Sequence, residues 1–219
     1  MTQRPRFETP TRPRANARVW AASLGLLLGV CCATGTAEDD ATETPASANA
    51  SHSFTDLQPG NRVPSFYVRA VTGPHANKSV CYVCRFQDRP VVMVVVREFS
   101  PRLNELLRSI DAVVDESRVT GLRSFVVFTA TTKASEVASR SLTSRVQTLG
   151  FDEKLSIPLT VAAAIDDGAT RPGATPAAVT VVLYREQQVV SATGFGSDDL
   201  TTSRMDNLLA SIRRLRDAP

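Results

Sequence analysis

Val91-Val92-Met93-Val94-Val95-Val96 is the stretch that most narrows what this chain can fold into. Six consecutive apolar residues, five of them β-branched, stand between Pro90 and the charged pair Arg97-Glu98. An apolar run of this length without alternation reads as a strand buried on both faces. Strands of that kind lie inside α/β sheets, where helices cover the two faces. The fold class expected is therefore α/β, with a central mixed β-sheet and helices on both sides.

The neighbouring segments fit that frame. Upstream, Phe66, Val68 and Ala70 alternate with Tyr67 and Arg69, the pattern of an outer strand, and Thr72 to Lys78 is turn chemistry throughout. A short extended piece carrying Cys81 and Cys84 follows, with Gln87-Asp88-Arg89-Pro90 as a turn into the apolar strand. Downstream, Ser100-Pro101 reads as an N-cap followed by a first-turn proline. Leu103, Leu106, Leu107, Ile110, Val113 and Val114 then recur at helical spacing to about Glu116. Arg123 to Thr129 is a second buried strand, and Thr132 to Leu149 a more polar helix with Val137, Leu142, Val146 and Leu149 inward, closed by Gly150 as a C-cap. Leu155 to Val161 is a further short strand, Ala178 to Tyr184 and Val189 to Thr193 form a hairpin, and the last helix places Leu200, Met205, Leu208, Leu209, Ile212 and Leu215 on one face.

Charge divides the chain unevenly. The net charge is +3, but Met1 to Ala37 alone carries five Arg against one Glu. The rest is slightly acidic with scattered charges, which leaves no nucleic-acid footprint. Within that basic leader, Val19 to Ala33 is a 15-residue apolar core followed by Thr34-Gly35-Thr36-Ala37. A basic region, a short apolar core and small residues before a cleavage point describe a signal peptide, residues 1–37. The core falls short of the ~20 residues a spanning helix needs. A membrane association is expected only if the signal stays uncleaved or Cys31 is lipidated, and Val30 before Cys31 fits a lipobox poorly. Residues 38–56, acidic and then rich in Ala, Ser and Thr, read as a disordered linker, and residues 57–219 as the folded domain. The protein is thus expected to be exported, to the periplasm or beyond.

Removal of the leader takes Cys31 and Cys32 with it, so the mature chain keeps Cys81 and Cys84. In an oxidising compartment two nearby thiols persist as a disulfide. In a straight strand residues three apart face opposite sides, whereas a helical turn through Tyr82-Val83 lets the sulfurs meet. Three readings of the pair stand side by side: a redox dithiol, a structural pair, and a metal site recruiting His75, for which a fourth ligand is missing nearby. Arg85 and Lys78 are placed to favour a thiolate. No cofactor and no metal is expected.

The order of these elements resembles the thioredoxin-like superfamily, nearest its peroxiredoxin and thiol-specific antioxidant branch. Gly60-Asn61-Arg62-Val63-Pro64-Ser65-Phe66 is similar to that branch's opening strand motif, Val91–Val96 to its central strand, and Val179 to Ser191 to its C-terminal hairpin. The resemblance implies a thioredoxin-like fold and thiol chemistry with protein thiol partners. It also implies a reactive cysteine after the central strand, where a helix start lowers the thiol's pKa. Here that place reads Arg97-Glu98-Phe99-Ser100-Pro101-Arg102-Leu103, without cysteine, and the Pro-x-x-x-Thr-x-x-Cys motif is absent. Ordinary peroxidase activity is therefore not expected. Chemistry falls to the displaced pair, with Cys81 as nucleophile because it comes first and Cys84 as its resolving partner. The alternative is a non-catalytic scaffold used for binding or structure. Two prolines compete for the cis position such folds carry near the site, Pro176 and Pro158. Arg97 and Glu98 stand where α/β sheets bind ligands, or as a solvated ion pair.

Overall fold

The computed structural model describes residues 57–129, 136–162 and 177–218. These belong to one unit, Ser47–Pro219. The expected signal peptide and linker, residues 1–56, and Pro176 lie outside the described residues. The elements in chain order are β1 (Val68–Ala70), β2 (Ser79–Val80), α1 (Tyr82–Phe86), β3 (Val91–Val96), α2 (Leu103–Glu116), β4 (Arg123–Thr129), α3 (Glu136–Asp152), β5 (Leu159–Ala162), β6 (Val179–Arg185), β7 (Gln188–Phe195) and α4 (Thr202–Asp217). The strands form one sheet in the order β2-β1-β5-β4-β3-β6-β7. β3, β4 and β5 run parallel, and the outer pairings are antiparallel. No helix among the described residues is long and apolar enough to cross a membrane.

All six residues of β3 are buried, as the unbroken apolar run requires. They divide by parity between two cores. Val92, Val94 and Val96 pack with Leu103, Leu106, Leu107 and Ile110 of α2 and with Met205, Leu208 and Ile212 of α4. Val91, Met93 and Val95 pack with Tyr82 and Val83 of α1 and with Val63 and Phe66 of the segment before β1. Helices therefore cover both faces, but unequally: two long amphipathic helices and Val146 of α3 on one side, a five-residue helix on the other. Each large apolar side chain so buried contributes about 1.5–3 kcal/mol relative to exposure.

Several boundaries differ from those read in the sequence, each for a local reason. Helix α2 begins at Leu103 rather than at Pro101, because Ser100 and Pro101 form a preceding turn in which Leu103 N donates to Ser100 O at 3.1 Å. Helix α3 does not stop at Gly150 but runs through it to Asp152. A Cβ on Gly150 would sit 2.9 Å from Thr72 Cγ2 and 3.0 Å from Leu159 Cδ1, so this glycine serves close helix–strand packing rather than a C-cap. Val137, expected inward, is 75% exposed. Strand β5 starts at Leu159, after Pro158, instead of at Leu155. Phe66, Val68 and Ala70 are buried and Tyr67 and Arg69 exposed, in the alternation expected.

Candidate functional site: the Cys81–Cys84 helix start

The site is built by a hairpin that ends in a helical turn. Gly73 and Asn77 adopt φ of 83° and 66°, the left-handed region that lets the chain reverse between β1 and β2. The reversal is closed by Asn77 N donating to Ala70 O at 2.8 Å and Ala70 N donating to Lys78 O at 2.9 Å. After two residues of β2, Cys81 takes an extended conformation (φ −95°, ψ 99°) and becomes the N-cap of α1. Its sulfur accepts the N–H of Cys84 at 3.1 Å, the role a hydroxyl or carboxylate usually fills at a helix start.

That cap decides the geometry of the pair. With Tyr82 and Val83 helical, the two Cα atoms stand 5.3 Å apart, inside the range a disulfide accepts, and Cys81 and Cys84 are bonded. The extended piece expected from the sequence gives way to a helix immediately after Cys81. The two sulfurs differ in environment: Cys81 is 5% exposed and belongs to a hydrophobic core, whereas Cys84 is on the surface.

Aromatic packing holds α1 against the sheet. Tyr82 stacks on Phe125 of β4 with ring centroids 5.2 Å apart, and Phe86, one turn on, meets Tyr82 at 5.5 Å and Phe125 at 6.1 Å. Phe66 approaches Phe125 from the other side at 6.4 Å. Burial raises the Tyr82 phenol above its ordinary pKa, with the Arg85 guanidinium opposing the shift. Gln87 then ends the helix at φ 45°, and Arg89 N donates to Phe86 O at 3.0 Å as the chain turns into Pro90 and β3. Tyr82 and Phe86, four residues apart, fall on one face of this helix, a single spacing too short to declare a helix in the sequence.

Sheet register places the pair relative to the position usual for a reactive thiol. One row crosses all seven strands: Ser79, Arg69, Val161, Phe128, Val96, Val179 and Phe195. Ser79 is therefore level with Val96, the last residue of β3, and the chain leaves β2 for Cys81 at the same edge from which β3 runs toward α2. The exits are four strands apart, roughly 19 Å at ordinary strand spacing. The pair is displaced sideways along one edge rather than moved to the other end of the sheet.

The start of α2 is occupied differently. Phe99 stacks on Phe128 at 5.3 Å beneath the Arg145 guanidinium, 3.7 Å from its centroid. Ser100 is 8% exposed and its hydroxyl has no partner. Arg102, the N-cap residue, makes no side-chain cap and instead donates to Leu200 O at 2.9 Å. Arg97 donates to Ala177 O and Thr180 Oγ1 at 3.1 and 3.2 Å, and Glu98 accepts from Ser197 Oγ at 2.9 Å, so both tie the end of β3 to its neighbours. His75, the residue a metal reading would recruit, is half-buried with its ring 6.4 Å from Tyr82. Among the described residues no group of three or more His, Cys, Asp or Glu is placed to hold a metal ion. No peptide bond among them is cis, so Pro158 is trans.

The sequence matches no family model and no curated protein. Solved structures do match. A putative protein disulfide isomerase from Bacteroides thetaiotaomicron is 12% identical with a TM-score of 0.53, over 74% of this chain and 91% of that one. A putative thiol:disulfide interchange protein from Chlorobium tepidum is 13% identical with a TM-score of 0.50, over 74% and 99%. A peroxidoxin from Mycobacterium tuberculosis is 12% identical with a TM-score of 0.49, over 73% and 98%. At such identities the likeness shows the fold alone: by the seven-stranded mixed sheet and helix order of its described residues, this chain has a thioredoxin-like fold.

Proposed function

We propose that this protein exchanges thiols and disulfides with protein partners through Cys84 and Cys81. The observation that carries the reading is the asymmetry of the bonded pair, one sulfur on the surface and one capping a helix from within the core. A partner thiolate reaches Cys84 Sγ, forms a mixed disulfide, and expels Cys81 with the electron pair of the old bond. The Cys84 N–H, already directed at Cys81 Sγ, stabilises the departing thiolate. A second partner thiolate then attacks the mixed disulfide, and Cys84 leaves. The partner dithiol becomes a disulfide, and the protein takes up two electrons and two protons as its own dithiol. Run in reverse, Cys84 attacks a partner disulfide and Cys81 resolves it. Exposure thus favours the opposite order from chain position, with Cys84 as nucleophile.

The neighbouring structures described as a disulfide isomerase and an interchange protein support this chemistry as a class. Titration of free thiols with and without reductant, combined with insulin reduction, tests it. In Cys81→Ser the mixed disulfide should accumulate on Cys84, and in Cys84→Ser none should form. Inert thiols and no insulin reduction would instead favour a scaffold role, the reading supported by the cysteine-free start of α2. Export completes the proposal: the leader pattern and a disulfide suited to an oxidising compartment both support it. Mass spectrometry should find a mature N-terminus near Glu38. A retained basic leader or a lipid on Cys31 would overturn cleavage there.

A further inference from the structure

A second site lies at the opposite edge of the sheet, where β4 begins. The last turns of α2, the start of β4, the Ile157-Pro158 approach to β5 and Phe86 at the end of α1 enclose a cavity of about 300 Å³. That volume is at the lower end of small-molecule pockets. Its two acidic residues are already engaged. Asp111 accepts the N–H groups of Ser156 and Ile157, both at 3.0 Å, and Asp115 pairs with Arg118.

Its donors are less fully used. Arg123 gives one N–H to Leu122 O at 3.0 Å, and among the described residues no carboxylate pairs with it. Ser124 is 4% exposed, lines the cavity, and its hydroxyl has no hydrogen-bond partner. An orphaned buried hydroxyl costs free energy unless something bonds to it. Burial lowers the Arg123 guanidinium's hold on the proton, and repulsion from Arg89 and Arg118 lowers it further. An anion beside it relieves that repulsion. The remaining wall is apolar, from Phe86, Val114 and Ile157.

We propose that this cavity binds a small organic carboxylate, with its charged end on Arg123 and Ser124 and its apolar body against Phe86, Val114 and Ile157. Guanidinium suits this role because its fork meets both carboxylate oxygens. The apolar wall and the volume favour an organic anion over an inorganic one. The site is independent of the thiol chemistry and stands whether or not Cys84 proves reactive.

Calorimetric titration of the full chain with benzoate tests the proposal, with benzamide as the uncharged analogue and inorganic phosphate as the purely anionic one. Benzoate should bind saturably and benzamide should not. Arg123→Gln should weaken benzoate by about tenfold or more, as loss of a charge-assisted pair requires. Ser124→Ala, which keeps the charge and carries little risk to folding, should weaken it severalfold, and circular dichroism establishes that each variant is folded. The assignment is overturned if folded protein shows no saturable benzoate binding, if benzamide binds equally well, if phosphate binds and benzoate does not, or if neither variant weakens benzoate.

Discussion

Two helices start from the same edge of this sheet, and they are furnished in opposite ways. At α1 the cap is a cysteine sulfur that accepts a backbone N–H and is bonded to a second, exposed cysteine. At α2 the corresponding ground holds Phe99 under a guanidinium, a buried serine and an arginine that caps nothing. The short helix carries the bonded cysteines, and the long one has the packing. Leu103, Leu106, Leu107 and Ile110 of α2 are fully buried, whereas α1 contributes Tyr82 and Val83. Anchoring the core and carrying the cysteine pair are thus tasks divided between two helix starts.

The largest expected effect comes from removing or moving the thiol. Cys84→Ser should reduce insulin-reductase activity to background while the denaturation midpoint stays near that of the reduced wild type. A Ser100→Cys change in that background should not restore activity, because position 100 is only 8% exposed. Restoration would mean that the α2 start remains chemically competent and that the division of tasks is superficial.

How much of this division was legible in the sequence depended on element length. The apolar run of β3, the helical spacing in α2 and the hairpin of β6 and β7 each extend over enough residues for a period to show. Helix α1 has five residues, too few for a period, and it exists because Cys81 caps it and Phe125 receives Tyr82. Both causes are tertiary or local-geometric, and neither shows in composition. The cysteines themselves were evident from their spacing, but which one is accessible was not. Exposure follows from the face of α1 that meets the sheet, and chain order carries no information about that. Gly150 misled for a related reason: its lack of a side chain reads as a helix stop, yet Thr72 and Leu159 require the same property in mid-helix.

Next in size is the aromatic support of α1. Phe125 is fully buried and touches Tyr82, Phe86 and Phe66. Phe125→Ala should cost about 3–5 kcal/mol by chemical denaturation. Phe99→Ala, half-buried on the α2 side, should cost about 1 kcal/mol, an ordinary surface-proximal loss. Equal costs would remove the contrast between a helix held by one aromatic cluster and a helix held along its whole length.

Reduction of the disulfide should have a smaller effect. A bond between residues three apart closes a loop so short that chain entropy assigns it about 2 kcal/mol at most. Denaturation with and without a phosphine reductant should therefore differ by no more than about 2 kcal/mol. A larger drop would make the pair a structural staple and weaken the redox reading, while a small one leaves the protein folded in both states, as cycling demands.

The smallest effect separates the two faces by pH. Of the chain's three tyrosines, Tyr82 and Tyr184 are buried on the α1 side, and both hydroxyls lack a partner. Tyr82→Phe removes an unpaired buried hydroxyl, so stability at neutral pH should stay level or rise by less than about 1 kcal/mol. Burial raises both phenols above their ordinary value. A folded-state pKa above the unfolded one means the contribution is complete below the unfolded pKa of about 10 and is lost as pH climbs from there toward the folded value. The unfolded chain then releases protons that the native rings retain. Wild type should accordingly lose stability on going from about pH 9 to above about pH 10, and Tyr82→Phe and Tyr184→Phe should each flatten that decline. The α2 face contributes nothing to it, since its core contains no tyrosine among the described residues. Urea midpoints across this range, compared between wild type and the two variants, make the measurement, and identical alkaline slopes in all three would show that the rings are not sealed beneath α1.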